Sequence, residues 1–291
     1  MPKVLSDFFL VNRKLLNQLP GLAGKILCKV AKEKGLKPGI FMALHTFGRT
    51  LNWNVHLHVS ITRGGITSQN TWKSLYFKAL ILMKMWRYAV LKLFRTENRE
   101  GFLHHTPEMG GQSLSAVFSR EYAKYWRVHC ARPHNNPKKD IEYLGRYIKR
   151  PAIANSRLLH YNGHALVFKY LNHRTKKTEY TELHPFDFIT RFIQHIPEKG
   201  FRLIRYGGFL ANRVRGVLLP IVYALFNHQP VPKNHSWAYR VKNQTGENPL
   251  DCILCKQPMR LGFLLFGLSS NQLLQYHEPL ALRKYIKLPA G

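Results

Sequence analysis

Two histidines separated by one residue lie in Val55-His56-Leu57-His58-Val59. Apolar and imidazole side chains alternate there, and successive side chains of a β-strand point to opposite faces. Val55, Leu57 and Val59 can therefore bury one face while His56 and His58 project together from the other. Two imidazoles on a rigid strand can grip one divalent ion. With 15 histidines in 291 residues, random placement gives roughly 0.8 such pairs, so further ligands must carry the assignment. Carboxylates are scarce nearby: the first 96 residues contain Asp7 and Glu33 alone, neither on the presumed sheet. A third ligand must be another histidine or come from far along the chain. His45 on the preceding strand is the nearest, and Asp140 and Glu142 are distant ones. Imidazole-dominated sites with open positions hold Mn²⁺ or Mg²⁺ when a substrate phosphate completes the shell.

A second constellation is Tyr143 and Tyr147, four residues apart in a segment with helical character from Lys138 to Arg150. That spacing puts both phenols on one helix face, a turn apart. Arg146, Lys149 and Arg150 lie within a turn; their charge lowers a phenol's pKa and can hold phosphate oxygens. A cation that polarises a phosphate, facing a tyrosine that attacks it, is a design for covalent DNA cleavage. A second tyrosine lets one DNA end be held while another site is attacked.

The elements that must position these groups follow from periodicity and punctuation. Asp7 to about Lys34 reads as helix, kinked or split at Pro20-Gly21. After the turn Gly35–Gly39, Ile40 to His45 reads as a buried strand, and the histidine strand ends at Gly64-Gly65. A short connection between the two predicts antiparallel pairing. Asn70 to about Glu97 is predicted helical, its aromatics taken as core, and Ser113 to about Tyr125 forms a second helix beyond Gly110-Gly111. Trp126 to Arg132 reads as a strand, as do Ala165–Tyr170 and Thr178–Leu183; Pro185 starts a helix through Ile193. The tail has a last helical stretch near Leu273 to Lys287. Helices and strands without strict alternation predict an α+β fold, a central antiparallel sheet flanked by helices. The expected division is a helical segment at 1–35, a catalytic domain at 36–215, and a basic, helical or irregular region at 216–291.

Lys+Arg outnumber Asp+Glu by 45 to 15, a net charge of +30 with histidines neutral. The excess runs along the whole chain, so it belongs to the folded surface and calls for a polyanionic partner, nucleic acid ahead of anionic membrane. The apolar run Ala79 to Phe94 is broken by Lys84, Arg87 and Lys92, which excludes a membrane span. The first twenty residues carry no secretory pattern, and four cysteines make no disulfide framework, so a cytoplasmic, DNA-associated protein is expected.

Taken in order, three stretches resemble the two-tyrosine HUH transposases of rolling-circle insertion sequences. They are Leu44-His45-Thr46-Phe47-Gly48 with Asn54 to His58; Tyr143-Leu144-Gly145-Arg146-Tyr147 with Lys149-Arg150-Pro151 and Ile153-Ala154; and Lys199 through Arg213. The similarity spans about Asp7 to Arg215. It implies that His56 and His58 bind the divalent cation, and that Tyr143 and Tyr147 form 5′-phosphotyrosine links to single-stranded DNA. It also implies a central antiparallel sheet with the histidines on an inner strand and the tyrosines on a helix alongside. Such transposases usually begin with a cysteine-rich zinc module, whereas Cys28 is the single cysteine before residue 130; a truncated copy is the expectation here.

Arg202, Arg205, Arg213 and Arg215 read as a phosphate-contacting strip, sequence-neutral and salt-sensitive. Cys252 and Cys255, spaced Cys-x-x-Cys, could supply half of a zinc knuckle, with Cys28, Cys130 or His235 arriving from a distance. The competing function is a non-catalytic nucleic-acid-binding remnant; a ribosomal-type RNA-binding protein is a third, supported by charge alone.

Overall fold

The computed structural model describes residues 1–104, 113–131, 145, 151–172, 174–229, 236–252 and 255–259. The chain divides into two units, Met1–Gln229 and Pro230–Gly291. The first unit is built on a four-stranded antiparallel sheet. Its central strands are β1 (Lys37–Phe47) and β2 (Trp53–Ile66), edged by β3 (Trp72–Ser74) beside β2 and β7 (Ile204–Gly208) beside β1. A separate three-stranded sheet contains β4 (Leu158–Tyr161), β5 (Leu166–Leu171) and β6 (Thr178–Leu183). The expected α+β architecture holds.

Alternation decides which face of the central sheet meets the helices. Ile40, Met42 and Leu44 of β1, with Val55, Leu57 and Val59 of β2, turn to one side. There they meet α1 (Lys3–Val11), α2 (Gln18–Lys32), α3 (Ala79–Arg99) and α4 (Leu114–Ala123). The centre of that core is aromatic: Phe8 and Phe9 lie 5.3 and 4.9 Å from the Phe94 ring, which stacks on Phe118. Each such side chain removes on the order of 2–3 kcal/mol worth of apolar surface from water.

Several sequence expectations need correction. The N-terminal helical run breaks at Asn12, followed by a 3₁₀ turn Arg13–Asn17, and not at Pro20-Gly21. Pro20 sits in the first turn of α2, where its missing N–H has no partner to lose. The histidine strand runs through Gly64 and Gly65 to Ile66, because those glycines pair with Ser74 and Lys73 of β3. The same pairing delays the long helix to Ala79. Tyr76 and Tyr88 are exposed, whereas Phe94 is buried, so only part of that aromatic set is core. Residues 125–131 carry no strand. Trp126 there is a single buried anchor whose Nε1–H donates to the Glu121 carbonyl at 2.9 Å.

Other expectations are met. Helix α5 spans Pro185–Ile193, with Pro185 in its first turn, where a fixed φ suits a helix start, and Asp187 near its positive end. Gly208 ends β7 at φ +60°, and a Cβ there would overlap the Pro38 carbonyl, so only glycine lets β7 close on β1. Helix α6 (Asn212–Leu225) follows directly. In the second unit, α7 (Trp237–Thr245) is capped by the Ser236 hydroxyl and ends at Gly246 in the left-handed region. The segment Lys138–Arg150, apart from Gly145, and the stretch Leu273–Lys287 lie outside the described residues.

Candidate metal centre

His45 and His56 are direct cross-strand partners, and His58 lies two residues along β2, opposite Ala43. All three imidazoles therefore leave the sheet on the face opposite the helices. Their ring centroids are 5.6 Å (His45–His56), 4.8 Å (His45–His58) and 4.8 Å (His56–His58) apart. One nitrogen from each can be chosen so that all three lie within 4.8 Å of one another. Among the described residues this is the one group of three or more metal-ligating side chains.

The donor set suits a divalent ion. A metal–nitrogen bond of about 2.1 Å allows two ligand nitrogens to be at most about 4.2 Å apart, so slight ring rotation closes the set on one ion. His56 Nδ1 lies 2.8 Å from the Asn54 carbonyl oxygen. A carbonyl only accepts, so Nδ1 carries the proton and the lone pair is on Nε2, the usual way an outer partner orients a ligating imidazole. His45 is nearly buried and stacks on Phe47 at 4.9 Å, which fixes its ring. His56 and His58 are half-buried. Among the described residues no carboxylate joins the three histidines; Asp140 and Glu142 lie outside them.

The strands that carry the triad meet in the turn 48–52, and that turn is held by distant cations. Arg191 donates to the Thr50 carbonyl and Arg157 to the Arg49 carbonyl, while Arg49 itself donates to the Leu171 carbonyl. Leu51, at φ +57°, is buried with Ile153 and Phe168 beneath the three-stranded sheet. His195 completes the clamp. Its Nε2–H donates to the Leu51 carbonyl at 3.1 Å, its Nδ1 accepts from the Thr46 hydroxyl at 3.1 Å, and its ring stacks parallel on Trp53. Burial above all, and then the nearby Arg13 charge, hold its pKa below the ordinary histidine value, partly countered by the Leu51 bond. Nothing in the sequence marked His195: the histidine lies 149 residues from Thr46, and only the closed fold brings them together.

The remaining predicted site residues fall out unevenly. Arg202, Arg213 and Arg215 are exposed, the last two on the first turn of α6. Arg205 instead turns to the helical side of β7, where its guanidinium bonds Asn17 Oδ1 at 3.1 Å. Tyr143, Tyr147, Arg146, Lys149 and Arg150 lie outside the described residues. In the second unit Cys252 is half-buried and Cys255 exposed, and the Cys252 N–H donates to the Gln257 carbonyl.

A family model described as "Putative transposase" matches residues 39–216, which takes in all of the four-stranded sheet except Lys37 and Pro38, its histidines included. The chain belongs to this transposase family. It is 38% identical over 297 residues to the transposase for insertion sequence element IS801 of Pseudomonas savastanoi pv. phaseolicola, covering 99% of this chain and 72% of that protein. It is 27% identical over 250 residues to "Putative transposase y4qJ" of Sinorhizobium fredii, covering 81% of this chain and 63% of that protein. No solved structure matches the chain. Among the described residues of this transposase-family chain, no helix is long and apolar enough to cross a membrane.

Proposed function

We propose that the protein is a transposase that cleaves and rejoins single-stranded DNA through tyrosine nucleophiles, with His45, His56 and His58 holding a Mg²⁺ or Mn²⁺ ion. The observation that carries this is the meeting of three imidazoles, with no carboxylate among the described residues, on the sheet face opposite α1–α4. Family membership supplies the reaction class. When bound, the ion would polarise the scissile phosphate as a Lewis acid.

Tyr143 or Tyr147 would attack the phosphorus, forming a 5′-phosphotyrosine ester and releasing a 3′-hydroxyl. A later attack by a 3′-hydroxyl on that ester would restore the DNA phosphodiester and free the phenol, so no ATP is needed. Arg146, Lys149 and Arg150 would hold non-bridging oxygens and favour the phenolate. Arg202, Arg213 and Arg215 would guide the backbone. Zinc at Cys252 and Cys255 would serve DNA-end recognition in the second unit, with further ligands from outside the described residues.

The test is incubation of the protein with end-labelled single-stranded DNA from the element's own ends and Mn²⁺, resolved by denaturing electrophoresis. A covalent adduct that vanishes with chelator, with His58→Ala and with the double Tyr143→Phe, Tyr147→Phe variant is expected. An adduct that survives the tyrosine double variant contradicts the mechanism. Salt-sensitive binding with no adduct would identify the non-catalytic remnant instead.

A further inference from the structure

On the side of the central sheet away from the histidines, α2 and α3 diverge to leave an open groove of about 420 Å³. Each wall is a row of side chains four residues apart, which puts them on one helix face. Lys25 and Lys29 come from α2, Lys84 and Tyr88 from α3, and Tyr122 from α4; Met85 lines it too. Among the described residues no carboxylate lines the groove. Tyr88 is 54% exposed and Tyr122 40% exposed, so both rings are reachable from solvent beside the lysines. Tyr122 is also held in place. The Arg87 guanidinium sits 4.4 Å from its ring centroid and donates to the Lys124 carbonyl at 2.8 Å.

We infer that this groove is a second binding site for single-stranded DNA, in which the three lysines hold phosphates and Tyr88 and Tyr122 stack unstacked bases. Ammonium groups beside exposed aromatic rings are the combination that binds a single strand without reading its sequence. A duplex hides its base faces and would leave both rings unused. A purely anionic surface such as a membrane would use the lysines but not the two rings. The site rests on the proposed single-stranded substrate and extends it. Strand entering or leaving the histidine face would be held on the opposite face, keeping a nicked end near the protein.

The test is fluorescence anisotropy of a labelled 20-nucleotide oligothymidylate with the full chain, in chelator so that no cleavage occurs, over a salt series. The variant Lys25→Gln, Lys29→Gln, Lys84→Gln is expected to lower the slope of log affinity against log salt by about 2, from the loss of three phosphate contacts. Tyr88→Ala should weaken binding about tenfold at constant slope, and Tyr88→Phe should retain it, since a ring stacks without its hydroxyl. Ultraviolet crosslinking with peptide mapping should place the oligonucleotide on Tyr88 or Tyr122. Lys73→Gln, Lys78→Gln on the other edge should leave affinity unchanged.

Equal losses from the two lysine sets, or groove variants with wild-type affinity, would overturn the site. So would groove variants that lose binding to phosphatidylserine vesicles but keep the oligonucleotide. Failure of the transposase mechanism would show separately, as wild-type protein that binds this probe yet forms no covalent adduct with metal.

Discussion

The two faces of the β1–β2 pair are built by the same backbone and ask different things of it. On the helical face, Leu44, Val55 and Leu57 join a continuous core of α1, α3 and α4 side chains, where any one contact is backed by many others. On the other face three imidazoles converge, and each supplies one ligand atom that no neighbour duplicates. Leu44 and His45 are adjacent in sequence and both buried, yet they point into opposite halves of the molecule. The first face specifies the fold and tolerates volume-conserving change; the second specifies a geometry and tolerates none.

That contrast can be broken by experiment. The largest effect on folding should come from Leu44→Ala, which opens a cavity in the aromatic core and should cost about 2–5 kcal/mol in denaturant unfolding. A value under about 1 kcal/mol would mean the helical layer is not locked to β1. His58→Ala should do the reverse, lowering adduct formation by about a hundredfold or more while unfolding stays within about 0.5 kcal/mol of wild type. Comparable stability losses in both variants would erase the distinction between the faces.

A smaller effect separates the arginines. Arg213→Gln and Arg215→Gln should each lower the salt slope for single-stranded DNA by about 0.7. Arg205→Gln should leave that slope alone and cost about 1 kcal/mol of stability through its bond to Asn17. A slope change from Arg205→Gln would put that side chain back in the DNA strip.

The smallest effect concerns pH. His195 has a folded pKa below its ordinary value near 6.5, so the unfolded chain takes up the proton first. Its contribution to stability is full above about pH 6.5 and is lost as pH falls from there through the depressed folded value. In chelator, His195→Gln should therefore flatten the fall of stability below about pH 6.5. An unchanged pH profile would show that the imidazole is not held neutral in the fold.

What the sequence revealed was what is local. Alternation at 55–59 put His56 and His58 on one face, and the proximity of the preceding strand nominated His45, because an antiparallel hairpin brings β1 and β2 into register. Pro185 marked a helix start because its effect acts within one turn. The misreadings were failures of range. Gly64-Gly65 looked like a turn until β3 came to pair with it, and Trp126 to Arg132 looked like a strand because cationic side chains alternate there with Val128 and Cys130. Arg205 was grouped with its basic neighbours because charge is visible in sequence while strand facing is not. The His195 clamp could not be seen at all, since its partners Thr46 and Leu51 become neighbours only when α5 closes on the β1–β2 turn.

The central claim is that the three imidazoles hold one divalent ion at the DNA-cleaving face. The direct measurement is anomalous X-ray scattering from a crystal of the protein grown with Mn²⁺. The account predicts one peak about 2.2 Å from a nitrogen of each of His45, His56 and His58, absent in the His58→Ala protein. A well-ordered triad with no peak, or manganese bound elsewhere with the triad bare, would contradict it.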